Sequence, residues 1–204
     1  MSPTSSKAAT VHSERVSMAA TVLVDGSTIE VDVRITNLGT ADIYLTDVVL
    51  DPRTHARAEA ALQVRYEPPV DGAPPTVVLW RYLSPPEPNI SWAAPPTAFV
   101  TRVAPSATHH ISLRPLAPLR VATAAPQYGP DGELTGWTGP VVECTRVRLE
   151  LGVITDNADL APRAFASGDE TLYSVGGEAL DHQTVVAVDV DDLRVPLITR
   201  RGAP

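Results

Sequence analysis

Between residues 28 and 36 the chain alternates without a break: Ile29, Val31, Val33 and Ile35 fall on one side of an extended backbone, Glu30, Asp32, Arg34 and Thr36 on the other. A period of two marks a β-strand with one face in a core and one in water, because successive side chains of an extended chain point in opposite directions. The pattern recurs with Val147, Leu149, Leu151 and Val153 opposing Arg146, Arg148 and Glu150, and in Val186, Val188 and Val190. Strands of this kind need a second apolar face against them, so the chain is committed to layered β-structure.

The flanking sequence extends that reading. Residues 16–24 predict a strand leading into an Asp25-Gly26 turn, and residues 43–50 form a further apolar run. Asn37 and Gly39 can supply the positive φ of a tight connection, so residues 16–50 read as a three-strand meander. Residues 1–14 are small and polar and read as a flexible tail, with residues 15–200 as a single β-sandwich domain. Residues 53–62 are rich in Ala and predict one or two helical turns before the β-like Gln63-Val64-Arg65-Tyr66. Residues 76–83, 99–103 and 109–113 predict strands. Residues 156–177 read as loop apart from Thr171-Leu172-Tyr173, and residues 195–198 as an edge segment.

Twenty prolines in 204 residues are roughly twice the average share of about 5%. Proline lacks the backbone N–H that strand pairing uses, so these positions belong in loops, at strand ends and on edges. Nine of them fall between Pro68 and Pro96, and Gly and Pro crowd residues 126–140, which predicts long proline-rich loops. Net charge is −8, and residues 150–195 hold ten acids against Arg163 and Arg194. An acidic chain without a basic stripe repels phosphate backbones, which excludes nucleic acid as the expected partner. No run reaches the roughly 20 apolar residues of a membrane-crossing helix, so no membrane insertion is expected. Cys144 is the lone cysteine and fits a reducing compartment. The residues after Met1 lack the apolar stretch of a secretory leader, so the expected location is cytoplasmic.

Catalytic patterns are missing from the sequence. The histidines His12, His55, His109, His110 and His182 lack the His-x-x-x-His spacing that puts two imidazoles on one helical face, and the neighbours His109 and His110 point to opposite sides of a strand. There is no Gly-x-Ser-x-Gly elbow, Gly176-Gly177 lacks the lysine of a phosphate loop, and Cys144 has no local base. Asp156-Asn157-Ala158-Asp159 and Asp189-Val190-Asp191-Asp192 carry oxygen donors of the kind calcium takes, but Asp and Asn are ordinary turn residues and neither run resembles a calcium loop. No metal and no cofactor is expected. The aromatic residues are more telling: Trp80, Trp92 and Trp137 lie in or beside proline-rich stretches together with Tyr82 and Tyr128, while Val, Ile and Leu fill the alternating strands. Aromatics displaced to loops can anchor a protein interface or stack against sugar rings, so these five are the candidate binding residues.

Residues 26–39, Gly-Ser-Thr-Ile-Glu-Val-Asp-Val-Arg-Ile-Thr-Asn-Leu-Gly, resemble strand pairs of bacterial immunoglobulin-like accessory domains. Residues 103–113, where a proline and a small turn lead into an alternating strand, are similar to another segment of such domains. Together these cover under a fifth of the chain. The resemblance implies an all-β, immunoglobulin-like antiparallel β-sandwich that works by binding or assembly, with another protein or a second copy as partner, and it assigns no functional residue. A carbohydrate-binding module using the loop tryptophans is the alternative expectation.

Overall fold

The computed structural model describes residues 4–48, 50, 63–83, 98–121, 127–128, 134–135, 139–156 and 160–199. Its described residues form an almost purely β structure with a β-sandwich core and one turn of 3-10 helix at Gly177–Leu180. The first layer is a four-stranded antiparallel sheet in the order β1 (Ser5–His12), β2 (Val16–Asp25), β3 (Thr28–Asn37) and β8 (Thr108–Leu113). The second is an eight-stranded sheet. It runs from β14 (Arg163–Ser167) through β15 (Glu170–Val175), β7 (Ala98–Val103) and β4 (Ile43–Leu45) to β13 (Arg146–Thr155), β6 (Thr76–Arg81) and β5 (Gln63–Glu67), with β16 (Gln183–Val190) on the far side of β13. A three-stranded sheet of β12 (Val141–Cys144), β17 (Val195–Ile198) and β9 (Leu119–Arg120) closes one end, and β10 (Gln127–Tyr128) pairs with β11 (Leu134–Thr135).

The alternating segments fold as their period dictates. Ile29, Val31, Val33 and Ile35 of β3 and Val147, Leu149, Leu151 and Val153 of β13 belong to one buried cluster, joined by Met18 and Val22 of β2, Val77 and Leu79 of β6, and Val186, Val188 and Val190 of β16. Burying this much apolar surface is the main force holding the two layers together. A void of about 20 Å3, lined by Met18, Val33, Leu79, Ile111 and Leu149 among others, marks the plane between them. The two-residue turn after Asp25 has Gly26 at φ 57°, a conformation that costs glycine little.

Five expectations need correction. Ser5–His12, expected within a flexible tail, pairs along its whole length with β2, and Ala9 and Val11 pack on the core. The meander over residues 16–50 stops after β3. There β4 leaves for the larger sheet, pairing with β13 and β7, while β8 takes the free side of β3. Ile43, Tyr44 and Leu45 are all buried, and a strand apolar on both faces is satisfied only inside a sheet covered on both sides. Residues 195–198, expected at an edge, form the middle strand of the closing sheet, with Val195 and Leu197 fully buried. Residues 163–175, mostly expected as loop, form the β14–β15 hairpin about Gly168 at φ 60°. Two pairings, β6 with β13 and β9 with β17, are parallel, where an all-antiparallel sheet was expected.

Prolines 68, 69, 74 and 75 occupy the β5–β6 connection. The helical turns expected over residues 53–62 lie outside the described residues. Asn37 organises the crossing between layers. Fully buried, it donates Nδ2–H to the carbonyls of Ala41 at 2.8 Å and Val103 at 3.0 Å, while its Oδ1 accepts the Gly39 N–H at 2.9 Å. It closes the turn with its side chain, and neither Asn37 nor Gly39 has the positive φ expected of them. Among the described residues no helix is long and apolar enough to cross a membrane.

Candidate functional site

The side of β5, β6, β13 and β16 turned away from the sandwich core carries the most organised polar surface in the described structure. Because side chains alternate, Arg65 and Glu67 of β5, Arg146, Arg148 and Glu150 of β13, and Asp189 of β16 project together, with Asp191 just beyond. Arg65 donates to Glu67 at 3.0 Å and to Glu150 at 3.3 Å. Arg148 donates to Glu67 at 3.2 Å and to both Asp189 oxygens at 2.7 and 3.1 Å. Arg146 donates to Asp191 at 2.6 Å. Three guanidinium groups and four carboxylates thus form one continuous ladder. The Asp189 hydrogen bond holds the Arg148 guanidinium above its usual range despite partial burial, and the Asp191 bond does the same for Arg146. Burial works against the charge of Arg65, but hydrogen bonds to Tyr82 and Glu67 and the field of Glu150 outweigh it.

At one end the ladder runs into aromatic residues. Arg65 donates to the Tyr82 hydroxyl at 3.2 Å, and Tyr82 lies against Trp80 with ring centroids 4.6 Å apart and planes inclined by 35°. Both are half-buried. The pair forms one wall of a groove of about 320 Å3, which Gln63, Leu83, Val48 and Phe99 help to line. The groove lies where β6 ends, β7 begins and the chain leaves β4. Thr46, which also lines it, donates to the carbonyls of Arg81 and Gly152.

Of the five aromatic candidates, the structure brings Trp80 and Tyr82 together. Trp92 and Trp137 lie outside the described residues, and for Tyr128 only the backbone pairing with Leu134 is described. Sequence reading missed the ladder partners and Phe99, which stacks edge-on against Phe165 at 5.4 Å. The alternating Arg146, Arg148 and Glu150 marked the ladder strand, but the facing acids come from strands far away in sequence, and no periodicity reports which strand pairs with which.

Other polar groups are placed as structural ties. His109 turns inward from β8, with Nε2 2.9 Å from Asp47 Oδ2; Asp47 is fully buried and follows β4, so the contact joins the two layers. His110 is exposed on the opposite side. Cys144 is buried, and burial pushes its thiol up to about 11, which leaves little thiolate near neutrality. Burial, with Asp156 and Asp42 adding to it, raises the Tyr44 hydroxyl to about 12. A second cleft, of about 380 Å3, lies between Thr40 and Thr155, with Arg15 donating to Thr155 at 3.2 Å. Of the acidic runs weighed for calcium, Asp189 and Asp191 are engaged by arginines, and residues 157–159 lie outside the described residues.

No protein-family model, no curated protein and no solved structure matches this chain.

Proposed function

We propose that this chain is a non-enzymatic, immunoglobulin-like β-sandwich subunit that works by protein–protein contact, as an accessory to a larger complex or in assembly with its own copies, in the cytoplasm. The observation that carries the reading is the ladder face with the Trp80–Tyr82 pair at its end. Its charges are held in place before any partner arrives, which lowers the ordering cost of association. Tyr, Trp and Arg are the residues that most often dominate protein interfaces. The same pairing speaks against catalysis at this face, since each ladder carboxylate is engaged by an arginine rather than positioned as a base near a nucleophile.

The test is affinity capture with the wild type, with Arg148→Glu and with Trp80→Ala, each first shown to be folded by circular dichroism. A partner retained by the wild type and lost from both variants supports the reading. Equal retention by all three rejects this face as the contact.

One observation favours a second reading as a carbohydrate-binding module: Trp80 and Tyr82 form a contiguous aromatic surface, as sugar platforms do. Retention on one member of a polysaccharide panel, lost in Trp80→Ala, would put that reading first.

A further inference from the structure

We infer that the flank of the sandwich formed by β1 and β16 joins two copies of this chain, strand edge to strand edge. The inference goes beyond the ladder face and uses a different surface. β1 ends the first sheet and β16 flanks β13 in the second, and among the described residues no strand pairs beyond either. The two pack on each other across the layers, and Lys7 of β1 reaches Asp192, just past β16, at 3.5 Å. Both edges therefore lie on one side of the molecule. Each is eight residues long and runs residue for residue along its neighbour without a bulge. On its free side an edge strand presents N–H and C=O groups at strand spacing, and what satisfies such a row is another extended backbone.

The other described edges of the three larger sheets are blunted by charge or proline, which block edge-to-edge pairing. β5 carries Arg65 and Glu67 and runs into Pro68-Pro69, β8 runs into Arg114-Pro115, β14 follows Pro162, and β12 and β9 follow Pro140 and Pro118. In a chain with twenty prolines, β1 and β16 hold none. β16 also lacks a lysine, and Lys7, the residue that could guard β1, has its ammonium held by Asp192. Ala8 and Ala187 are exposed on the two strands, and Val185 is 43% exposed. Such short side chains let a second strand approach.

The occupant that fits is a second copy. A lone extended peptide would cover one edge and leave the other bare. A two-fold axis normal to the layers sets β16 antiparallel to its own counterpart and β1 antiparallel to its own, so one operation serves both edges in a closed, self-complementary contact. Charge agrees with this. The chain as a whole carries −8 and so repels its own copies, but β1 and β16 hold one cation, Lys7, and one anion, Asp189, which Arg148 engages. The acids just past β16, Asp191 and Asp192, are held by Arg146 and Lys7. The flank is thus close to neutral, and two copies can meet there without like charges facing unpaired.

The test is gel filtration with light scattering on the full chain from micromolar to millimolar concentration, with hydrogen exchange measured at both ends of that range. The wild type is expected to form a dimer in which amides of β1 and β16 exchange more slowly than in the monomer. Ala8→Lys and Val185→Lys put a lysine on each edge at an exposed position, and circular dichroism checks that both variants fold. Each should weaken the dimer about tenfold or more, and the double variant should be monomeric. Leu116→Lys controls for mere stickiness, since Leu116 is 76% exposed, and it should leave the dimer intact. A wild type that stays monomeric throughout overturns the inference, as does a dimer that survives the double variant, is lost on Leu116→Lys, or forms without protecting β1 and β16. A dimer lost on Trp80→Ala also overturns it and moves the contact to the ladder face, so the two surfaces stand or fall separately.

Discussion

Gln183, the first residue of β16, lies across the bare backbone of Gly152 on β13 and grips the chain beyond it, donating Nε2–H to the Leu83 carbonyl at 3.0 Å while accepting the Leu83 N–H at 2.7 Å. Only a residue without a side chain permits this. A Cβ at position 152 would run into the Gln183 carboxamide and come within 2.6 Å of Thr46 Oγ1. The contact sets where the chain leaves β6, and so the position of Tyr82 one residue earlier.

Gly152→Ala should therefore destabilise by about 1–3 kcal/mol, as overpacking of a filled site does, read as a lower urea midpoint. Gln183→Ala should cost about 1–3 kcal/mol through the unpaired Leu83 groups. Because both changes act on one contact, the double variant should lose less than the two single costs together. Full additivity would mean that the two residues act independently.

The facing of the alternating strands predicts a sharp contrast between neighbours. Val33→Ala and Leu149→Ala each empty part of the buried cluster and should cost about 2–4 kcal/mol. Arg34 is exposed, so Arg34→Ala should stay within about 0.5 kcal/mol. Arg148 spans Glu67 and Asp189 on a partly exposed face, and Arg148→Ala should cost about 1 kcal/mol or less, more at low salt than at high. Denaturant titrations at two salt concentrations separate the three cases. Equal losses at positions 33 and 34 would reverse the assigned facing.

What the sequence made legible was whatever local period encodes. Strands β3, β13 and β16 stood out because one face is apolar and the other mostly polar, and the Asp25-Gly26 turn because few residues tolerate its geometry. Partner choice did not stand out. Residues 43–50 are apolar on successive positions, a pattern that suits either the third strand of a meander or a strand buried on both faces, and only the pairing with β13 and β7 decides. The β14–β15 hairpin was masked by short strands without a clean alternation, although Gly168-Asp169 between Phe165 and Leu172 was a usable signal. For the site, Trp80 and Tyr82 were found because their bulk sits beside a proline-rich stretch. Glu67, Asp189 and Asp191 were not, since a surface acid looks the same in sequence whether or not an arginine faces it.

Asn37 offers a test of the junction between layers. Its side chain satisfies a carbonyl and an N–H of the turn after β3 and a carbonyl at the end of β7, in full burial. Asn37→Ala leaves all three without their partner and should cost about 2–4 kcal/mol, more than a single lost hydrogen bond. Asn37→Asp keeps the acceptor for Gly39 but turns a negative oxygen toward the Ala41 and Val103 carbonyls, so it should be at least as damaging near neutral pH. Thermal melts of the two variants check this, and a melting point within a degree or two of wild type for either would discard the proposed role.

Cys144 gives the fold a defined alkaline limit. Burial raises its folded pKa from 9.0 to about 11, whereas in the unfolded chain the thiol ionises near its ordinary value. The folded state thus binds more protons between those values, and stability must fall as pH rises through the window from about 9 to about 11, with the contribution fully present below it. A shift of about two units corresponds to about 2–3 kcal/mol. Tyr44, raised from 10.0 to about 12, adds a loss of the same sign at higher pH. Cys144→Ala should flatten the stability profile between pH 9 and 10 and leave the Tyr44-linked decline above it. In the native wild type the thiol should react with a disulfide reagent at pH 8 only as fast as the protein opens, and added urea should speed the reaction by exposing it. Prompt reaction in buffer alone, or an alkaline profile unchanged by Cys144→Ala, would show that the thiol is not sealed in the core.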